Sequence, residues 1–212
     1  HTAAKQLLPL VQKVHALLAE GKPARLARPS DPAERKLFDS LQLLTAKPVL
    51  YIANVEEASA ATGNAHAQKV ADYAKAHGAV SVVICASIEA ELAGLEAEED
   101  KAEFLASLGL EESGLAKVIR AGYGLLDLQT YFTAGEKEVR AWTVRKGAKA
   151  PEAAGVIHTD FERGFIRAEI IAYDDYIACK GESGAKEAGK MRLEGKEYVM
   201  QDGDVVHFRF NV

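Results

Sequence analysis

Cysteine is scarce in this chain: 212 residues contain only Cys85 and Cys179. Two cysteines so far apart make no disulfide framework, and they point to a reducing compartment. Long apolar runs are missing too. No stretch reaches the about 18 consecutive apolar residues that a spanning helix needs, so no passage through a membrane is expected. The opening residues His1-Thr2-Ala3-Ala4-Lys5 do not read as a signal peptide, because no apolar segment follows a basic start. The six histidines (His1, His15, His66, His77, His158, His207) lack metal-ligand spacing and have no cysteine partner, so no metal site is expected in this chain. No G-x-S-x-G nucleophile turn occurs. A net charge of −5 argues against blanket nucleic-acid binding.

A genuine phosphate-binding loop is also lacking. Gly184-Ala185-Lys186-Glu187-Ala188-Gly189-Lys190 has the G-x-x-x-x-G-K spacing. The next residue is Met191, so the hydroxyl that would hold Mg²⁺ is missing. No buried apolar strand leads into the motif, and Arg192-Leu193-Glu194-Gly195 runs on into another turn. The segment reads as a solvated loop. His158-Thr159-Asp160 looks like a catalytic dyad, but the plainer reading makes Asp160 a helix cap and His158 a packed loop residue. Asp174 and Asp175 adjoin in sequence, which does not make them face one ligand. No catalytic residue is expected in this chain.

What is present falls into three segments, set apart by charge and by apolar pattern. Residues 1–53 carry net +4, residues 54–121 net −7 and residues 122–212 net −2. Leu7, Leu10, Val11, Val14, Leu17 and Leu18 recur at helical spacing through Glu20, and Gly21 and Pro23 end that helix. Its apolar stripe fits either one arm of an antiparallel coiled coil or an ordinary amphipathic surface helix. Ser30 or Asp31 is placed to cap a second helix over Pro32–Leu44. Then come two continuous apolar strands, at 48–53 and 79–85, with a helix at about 65–77 between them and another opening at Ala86. Unbroken apolar strands alternating with helices predict a parallel sheet covered on both faces. Glu96–Glu103 reads as a solvated helix face.

The last segment changes character. Runs at 125–133 and 138–144 flank Ala134-Gly135-Glu136-Lys137, the pattern of a β-hairpin. Further short strands are expected near 166–172, 197–200 and 204–210, with Gly203 turning between the last two. A hairpin, a helical piece and two more strands suggest a small β-grasp domain.

The first strand ends in Asn54-Val55-Glu56-Glu57. An apolar strand that delivers Asn and a carboxylate is how P-loop GTPases read guanine, normally through Asn-Lys-x-Asp. Here the acid is Glu57, one methylene longer, and the lysine stem that covers the base is Val55. Guanine selection is therefore expected to weaken. The plainer reading is a strand with Asn54 as a cap. The second strand ends in Cys85-Ala86-Ser87, where such proteins carry a Ser-Ala-type turn that also touches the base. In the last segment Arg140, Arg145, Lys146 and Lys149 cluster around Trp142. Alternation puts Arg140 and Trp142 on one face of their strand. A basic edge meeting RNA phosphates and a buried core tryptophan among solvated bases are both open.

These residues carry a resemblance. Leu44-Thr45-Ala46-Lys47-Pro48-Val49-Leu50-Tyr51-Ile52-Ala53-Asn54-Val55, with Glu57, is similar to the YchF (Obg-like ATPase) family of P-loop NTPases. So are Ile88-Glu89-Ala90-Glu91-Leu92, Tyr131-Phe132-Thr133-Ala134-Gly135 and Arg140-Ala141-Trp142-Thr143. The most specific run is Ala154-Gly155-Val156-Ile157-His158-Thr159-Asp160-Phe161-Glu162-Arg163-Gly164-Phe165-Ile166-Arg167-Ala168-Glu169. It is followed by Glu194-Gly195-Lys196-Glu197-Tyr198, Asp202-Gly203-Asp204 and Phe208-Arg209-Phe210.

The resemblance, which covers nearly the whole chain, implies an α/β plus α+β architecture. Residues 1–45 would be the second helix of a coiled-coil arm and its connection. Residues 46–121 would be the carboxyl-terminal part of a P-loop GTPase-like parallel sheet, and 122–212 a β-grasp TGS domain. It implies ATP, with GTP weaker, bound through Asn54, Val55 and Glu57 and, less securely, Cys85, Ala86 and Ser87, since Cys85-Ala86-Ser87 departs from the usual Ser-Ala-Lys. Mg²⁺ is implied in the intact parent, its ligands and the Walker motifs lying upstream in the family, so this chain alone is not expected to hydrolyse ATP. Ribosome or ribosomal RNA as partner, a link to stress responses, a monomeric state and a cytoplasmic location complete the expectation. The alternative is an RNA- or ribosome-docking module with no nucleotide role.

Overall fold

The computed structural model describes residues 2–135 and 137–211, the side chains of Thr2 and Ala3 excepted. The chain divides into two compact units, residues 1–125 and 126–212.

The first unit opens with α1 (Thr2–Ala19). Gly21, in the left-handed region at φ 72°, ends the run. Val14 packs with Ala24, Ala27 and Phe38 in a small cluster, and Leu8, Val11 and Leu18 stay substantially exposed. In α2 (Pro32–Ser40), Asp31 caps the N-terminus through bonds from the Ala33 and Glu34 amides, and Pro32 takes the first position. The helix stops at Ser40 rather than Leu44. Leu41 turns its amide back to Phe38, and Gln42 enters the left-handed region at φ 50°.

Strands β1 (Leu50–Asn54) and β2 (Val80–Ile84) pair in parallel, with Asn54 beside Ile84. Between them lies α3 (Ala65–Ala76), capped by the Asn64 side chain. After β2 come α4 (Ala86–Gly94), α5 (Glu98–Ser107) and α6 (Gly114–Leu125). The strand pleat sorts the neighbours. Tyr51 meets Tyr73 of α3 edge to face, and Gly63, just before α3, lies against Val83. Ile84, on the other face, lies against Gly114 at the head of α6. Both faces of β2 are thus approached by helices. Ile52 of β1, on the α6 side, remains 48% exposed, so coverage is less complete than two unbroken apolar runs predict.

The second unit is a five-stranded mixed sheet in the order β4-β3-β7-β5-β6. Its strands are β3 (Leu128–Ala134), β4 (Val139–Arg145), β5 (Phe165–Ala172), β6 (Arg192–Glu194) and β7 (Asp204–Phe210). The β3–β4 hairpin closes through the Gly135 amide on the Glu138 carbonyl; Glu136, assigned to this turn from sequence, lies outside the described residues. β3 runs parallel to β7, and every other pairing is antiparallel. Helices α7 (Ala150–Ile157) and α8 (Thr159–Arg163) lie between β4 and β5, and α9 (Tyr173–Ala178) and α10 (Glu182–Glu187) between β5 and β6.

One continuous core joins Tyr131, Val144, Ala150, Ala153, Ala154, Phe165, Ile170, Met200, Val206 and Phe208. Three alanines let α7 approach the sheet closely. Tyr131 is fully buried, and its hydroxyl donates to the Ala153 carbonyl at 2.8 Å. Burial pushes that phenol well above its ordinary range.

Three sequence expectations need correction here. The strand expected at 197–200 is a single antiparallel bridge, Val199 to Lys149; the strand lies earlier, at Arg192–Glu194, paired with Ala168–Ile170. The Gly184–Lys190 segment is a solvated turn only from Ala188 on. Residues 184–187 end α10, and Ala185 is fully buried. A Cβ on Gly184 would collide with the Cys179 carbonyl. Finally, His158 and not Asp160 caps α8, its Nδ1 accepting from the Asp160 amide at 3.2 Å.

Candidate functional site

The two loops singled out from sequence lie side by side, at the carboxyl ends of β1 and β2. Parallel register makes this so: both strands end level, at Asn54 and Ile84. The Val55 amide then donates to the Ile84 carbonyl at 2.9 Å, carrying the pairing one residue further. Ligands of open α/β sheets bind at this kind of edge, outside the carboxyl ends of parallel strands.

Side chains tie the loops together. The Asn54 Oδ1 accepts from the Ala86 amide at 2.9 Å. That satisfies an orphan N–H at the start of α4 and leaves the Asn54 Nδ2 as the group that can donate outward. Asn54 therefore acts as a cap, but for a helix 32 residues away. The Ser87 hydroxyl donates to Glu57 Oε1 at 3.0 Å. Cys85 Sγ lies 3.1 Å from Ser87 Oγ. The serine has one proton, and the carboxylate takes it. The thiol must then donate to the serine, giving a relay from Cys85 through Ser87 to Glu57.

Asn54, Glu57, Ala86 and Ser87 are exposed, as a site open to a ligand requires. Val55 and Cys85 are buried. The Val55 side chain turns inward, so this residue offers a ligand its backbone rather than a covering stem. Behind the loop, Glu56 accepts from Ser59 and from Asn64 Nδ2. Those bonds, the Ser59 hydroxyl foremost, hold the Glu56 carboxyl below its usual range. This buttress escaped the sequence reading. Its one local signal is Asn64 in the cap position of α3.

Glu89 was also missed as a structural group. Its Oε1 accepts from the Gly114 amide at 2.6 Å and its Oε2 from the Leu115 amide at 3.0 Å. It thereby fastens the head of α6 to α4, the helix that carries Ser87.

The four basic residues do not act as one group. Arg140 lies over the Trp142 ring, 4.1 Å from its centroid, and 3.8 Å from Glu138. Lys149 pairs with Glu197 at 2.6 Å. Arg145 and Lys146 are exposed at the end of β4, an edge strand, and neither ion-pairs among the described residues. Trp142 is half-buried against the core, its Nε1 donating to Thr133 Oγ1 at 2.9 Å. Two roomy clefts lie elsewhere. One of about 530 Å³ is bordered by Arg28, Phe38 and Lys47, and one of about 600 Å³ by Trp142, Phe161 and Phe210. Neither includes Asn54 or Glu57.

Among the described residues no group of three or more His, Cys, Asp or Glu could hold a metal ion, and no helix is long and apolar enough to cross a membrane.

A parallel βαβ unit and a mixed five-stranded sheet define a mixed α/β protein. A family model described as YchF-GTPase_C, "Protein of unknown function (DUF933)", matches residues 128–211. The chain is 57% identical over 205 residues to the ribosome-binding ATPase YchF of Bacillus subtilis, covering 96% of this chain and 56% of that protein. It is 63% identical over 182 residues to the protein of the same name from Haemophilus ducreyi, covering 86% of this chain and 50% of that one. The solved structure of the Schizosaccharomyces pombe YchF GTPase superposes with a TM-score of 0.82 at 39% identity, over 98% of this chain and 55% of that one. The chain belongs to the YchF family. It spans about half the length of the curated relatives it matches.

Proposed function

We propose that this chain carries the base-reading edge of a YchF-type nucleotide-binding protein that binds and hydrolyses ATP, and GTP less well. The observation that carries this reading is the juxtaposition of two loops at the carboxyl ends of β1 and β2. They are locked by Asn54 on Ala86 and by Ser87 on Glu57, and they leave an amide donor and a carboxylate exposed. Asn54 Nδ2 offers a donor to a ring-nitrogen acceptor, and Glu57 offers an acceptor to an exocyclic amine. Ala86 and Ser87, beside backbone amides at the start of α4, complete the edge. Cys85 and Val55 support it from within.

In this reading residues 46–121 are part of the nucleotide domain, 1–45 the second arm helix with its connection, and 122–212 a β-grasp TGS domain. Phosphate binding and Mg²⁺ belong to residues outside these 212. Among the described residues no cluster of carboxylates, thiols or imidazoles suits the ion, and on this reading the chain alone does not hydrolyse nucleotide. The names of the relatives support an ATPase that binds ribosomes; a cytoplasmic location, stress-linked regulation and a monomeric state follow from the family reading. Asn54→Ala in the protein of full family length tests the base site. ATP affinity should fall about tenfold, the worth of one good hydrogen bond and its preorganisation. Unchanged affinity would refute the reading.

The ribosome is met, on this proposal, by the β4 edge of the second unit. Arg145 and Lys146 are exposed there and form no ion pair among the described residues, and Lys149 stands nearby. Phosphate contacts release counterions, so binding falls steeply with salt. Changing Arg145, Lys146 and Lys149 together to Glu should lower ribosome co-sedimentation and flatten its salt dependence. Wild-type pelleting across the salt series would move the docking surface to another face.

A further inference from the structure

We propose that Ser87 is a positioning residue that sets base choice: its hydroxyl holds one oxygen of the Glu57 carboxylate and so disfavours guanine. This rests on the base-reading role of the same site.

Guanine presents two donors side by side on its pairing edge, the ring N–H and the exocyclic amine. A carboxylate meets them only as a fork, with both oxygens turned to the base. Adenine presents one donor there, the exocyclic amine, beside a ring acceptor. One free carboxylate oxygen serves it, and a second oxygen facing the ring acceptor would repel it. In this structure Oε1 of Glu57 is committed to the Ser87 hydroxyl at 3.0 Å, which leaves Oε2 as the oxygen free to turn outward.

The commitment is reinforced from behind. Cys85 Sγ sits 3.1 Å from Ser87 Oγ, and Cys85 is buried, so the thiol donor is held in place. A donor feeding the hydroxyl polarises it and strengthens its own donation to the carboxylate. The hydroxyl is fixed at the other end as well. Ser87 belongs to the first turn of α4, whose leading amide is pinned to Asn54 Oδ1 at 2.9 Å. The residue that presents the outward amide and the residue that restrains the carboxylate are therefore parts of one hydrogen-bonded frame. The extra methylene of Glu57 lets its carboxylate reach that frame across 30 residues of sequence.

The test is made in the protein of full family length, with ATP and GTP as probes and calorimetric dissociation constants as the readout. Ser87→Ala releases Oε1 and should raise GTP affinity relative to ATP about fivefold to tenfold, the scale of one ordinary hydrogen bond. Ser87→Thr keeps the hydroxyl and should restore the wild-type ratio, which a merely steric role for Ser87 would not do. Ser87 is exposed, so neither change threatens the fold. If Asn54→Ala weakens both nucleotides while Ser87→Ala leaves their ratio within twofold of wild type, the restraint is overturned and the base site stands. If Asn54→Ala weakens neither, the base site fails and the restraint with it.

Discussion

Residues 1–125 and 126–212 are both α/β, yet they are built differently. In the second unit one core runs through four of the five strands and α7, and it contains large side chains that are essentially fully buried: Tyr131, Ile170 and Met200. The first unit also buries two large side chains fully, Phe38 and Ile88, but each sits in its own small cluster rather than in one continuous core. Every residue of β2 is only half-buried, and Ile52 of β1 is half exposed. A fully buried large apolar side chain contributes about 1.5–3 kcal/mol, and a half-buried one correspondingly less. The unit with the candidate base site therefore has the weaker core, and the unit with the basic edge has the stronger. Regions with few buried apolar contacts open most readily, and binding loops are drawn from them.

The largest test of that contrast is to separate the units at the boundary after Leu125. Residues 126–212 should unfold in one cooperative denaturant transition, with slow amide exchange across β3, β5 and β7. Residues 1–125 should show a broad transition and fast exchange in β1 and β2, whose outer edges have no strand partner among the described residues. A sharp transition with protected β1 and β2 amides in isolated 1–125 would dissolve the contrast. So would a loosely packed 126–212.

Several elements were legible from sequence, for physical reasons that differ between them. The runs at 48–53 and 79–85 are continuous and apolar because both faces of such strands meet neighbours, and they appear as β1 and β2 within two residues of the expected ends. The hairpin was legible because two apolar runs flank a glycine turn. The charge break at residue 121 falls four residues before the end of the first compact unit at Leu125. A charge break does not reveal that α6 runs on to Leu125. The strand expected at 197–200 failed because its pairing stops at the one bridge around Val199, where the Tyr198 carbonyl and the Met200 amide bond Ala150 and Ala148. Tyr198 donates to Asp204 at 2.9 Å, and burial, with that contact, pushes its phenol up to about 12. In the candidate site, residue types and order placed the two loops. The contacts between them were hidden, because Asn54 bonds a backbone amide, and amides carry no sequence signature. Nor could alternation show that Val55 turns inward, since it stands one residue beyond the strand.

The smallest test concerns the anchor of the weaker unit. Both oxygens of Glu89 are spent on the amides of Gly114 and Leu115, two orphan donors at the head of α6. Its negative charge also suits the positive end of that helix. The fit is close: a Cβ on Gly114 would lie 2.9 Å from Glu89 Oε1 and 3.0 Å from Ile84 Cβ, so glycine is the residue that lets the carboxylate and β2 approach. Glu89→Gln removes the charge and one of the two acceptors, which should cost about 1 kcal/mol. The only tryptophan, Trp142, lies in the second unit, so its fluorescence is blind to this change. Amide exchange on the whole chain is the proper readout. The Gly114 and Leu115 amides should exchange roughly fivefold to tenfold faster, as that loss in free energy requires, while the amides of β3, β5 and β7 keep their rates. Unchanged exchange at Gly114 and Leu115 would mean that α6 is held by its packing on β2 alone and that the Glu89 cap adds nothing. An equal acceleration in β3, β5 and β7 would mean that the two units open together, and the contrast between a weak and a strong core would have to be given up.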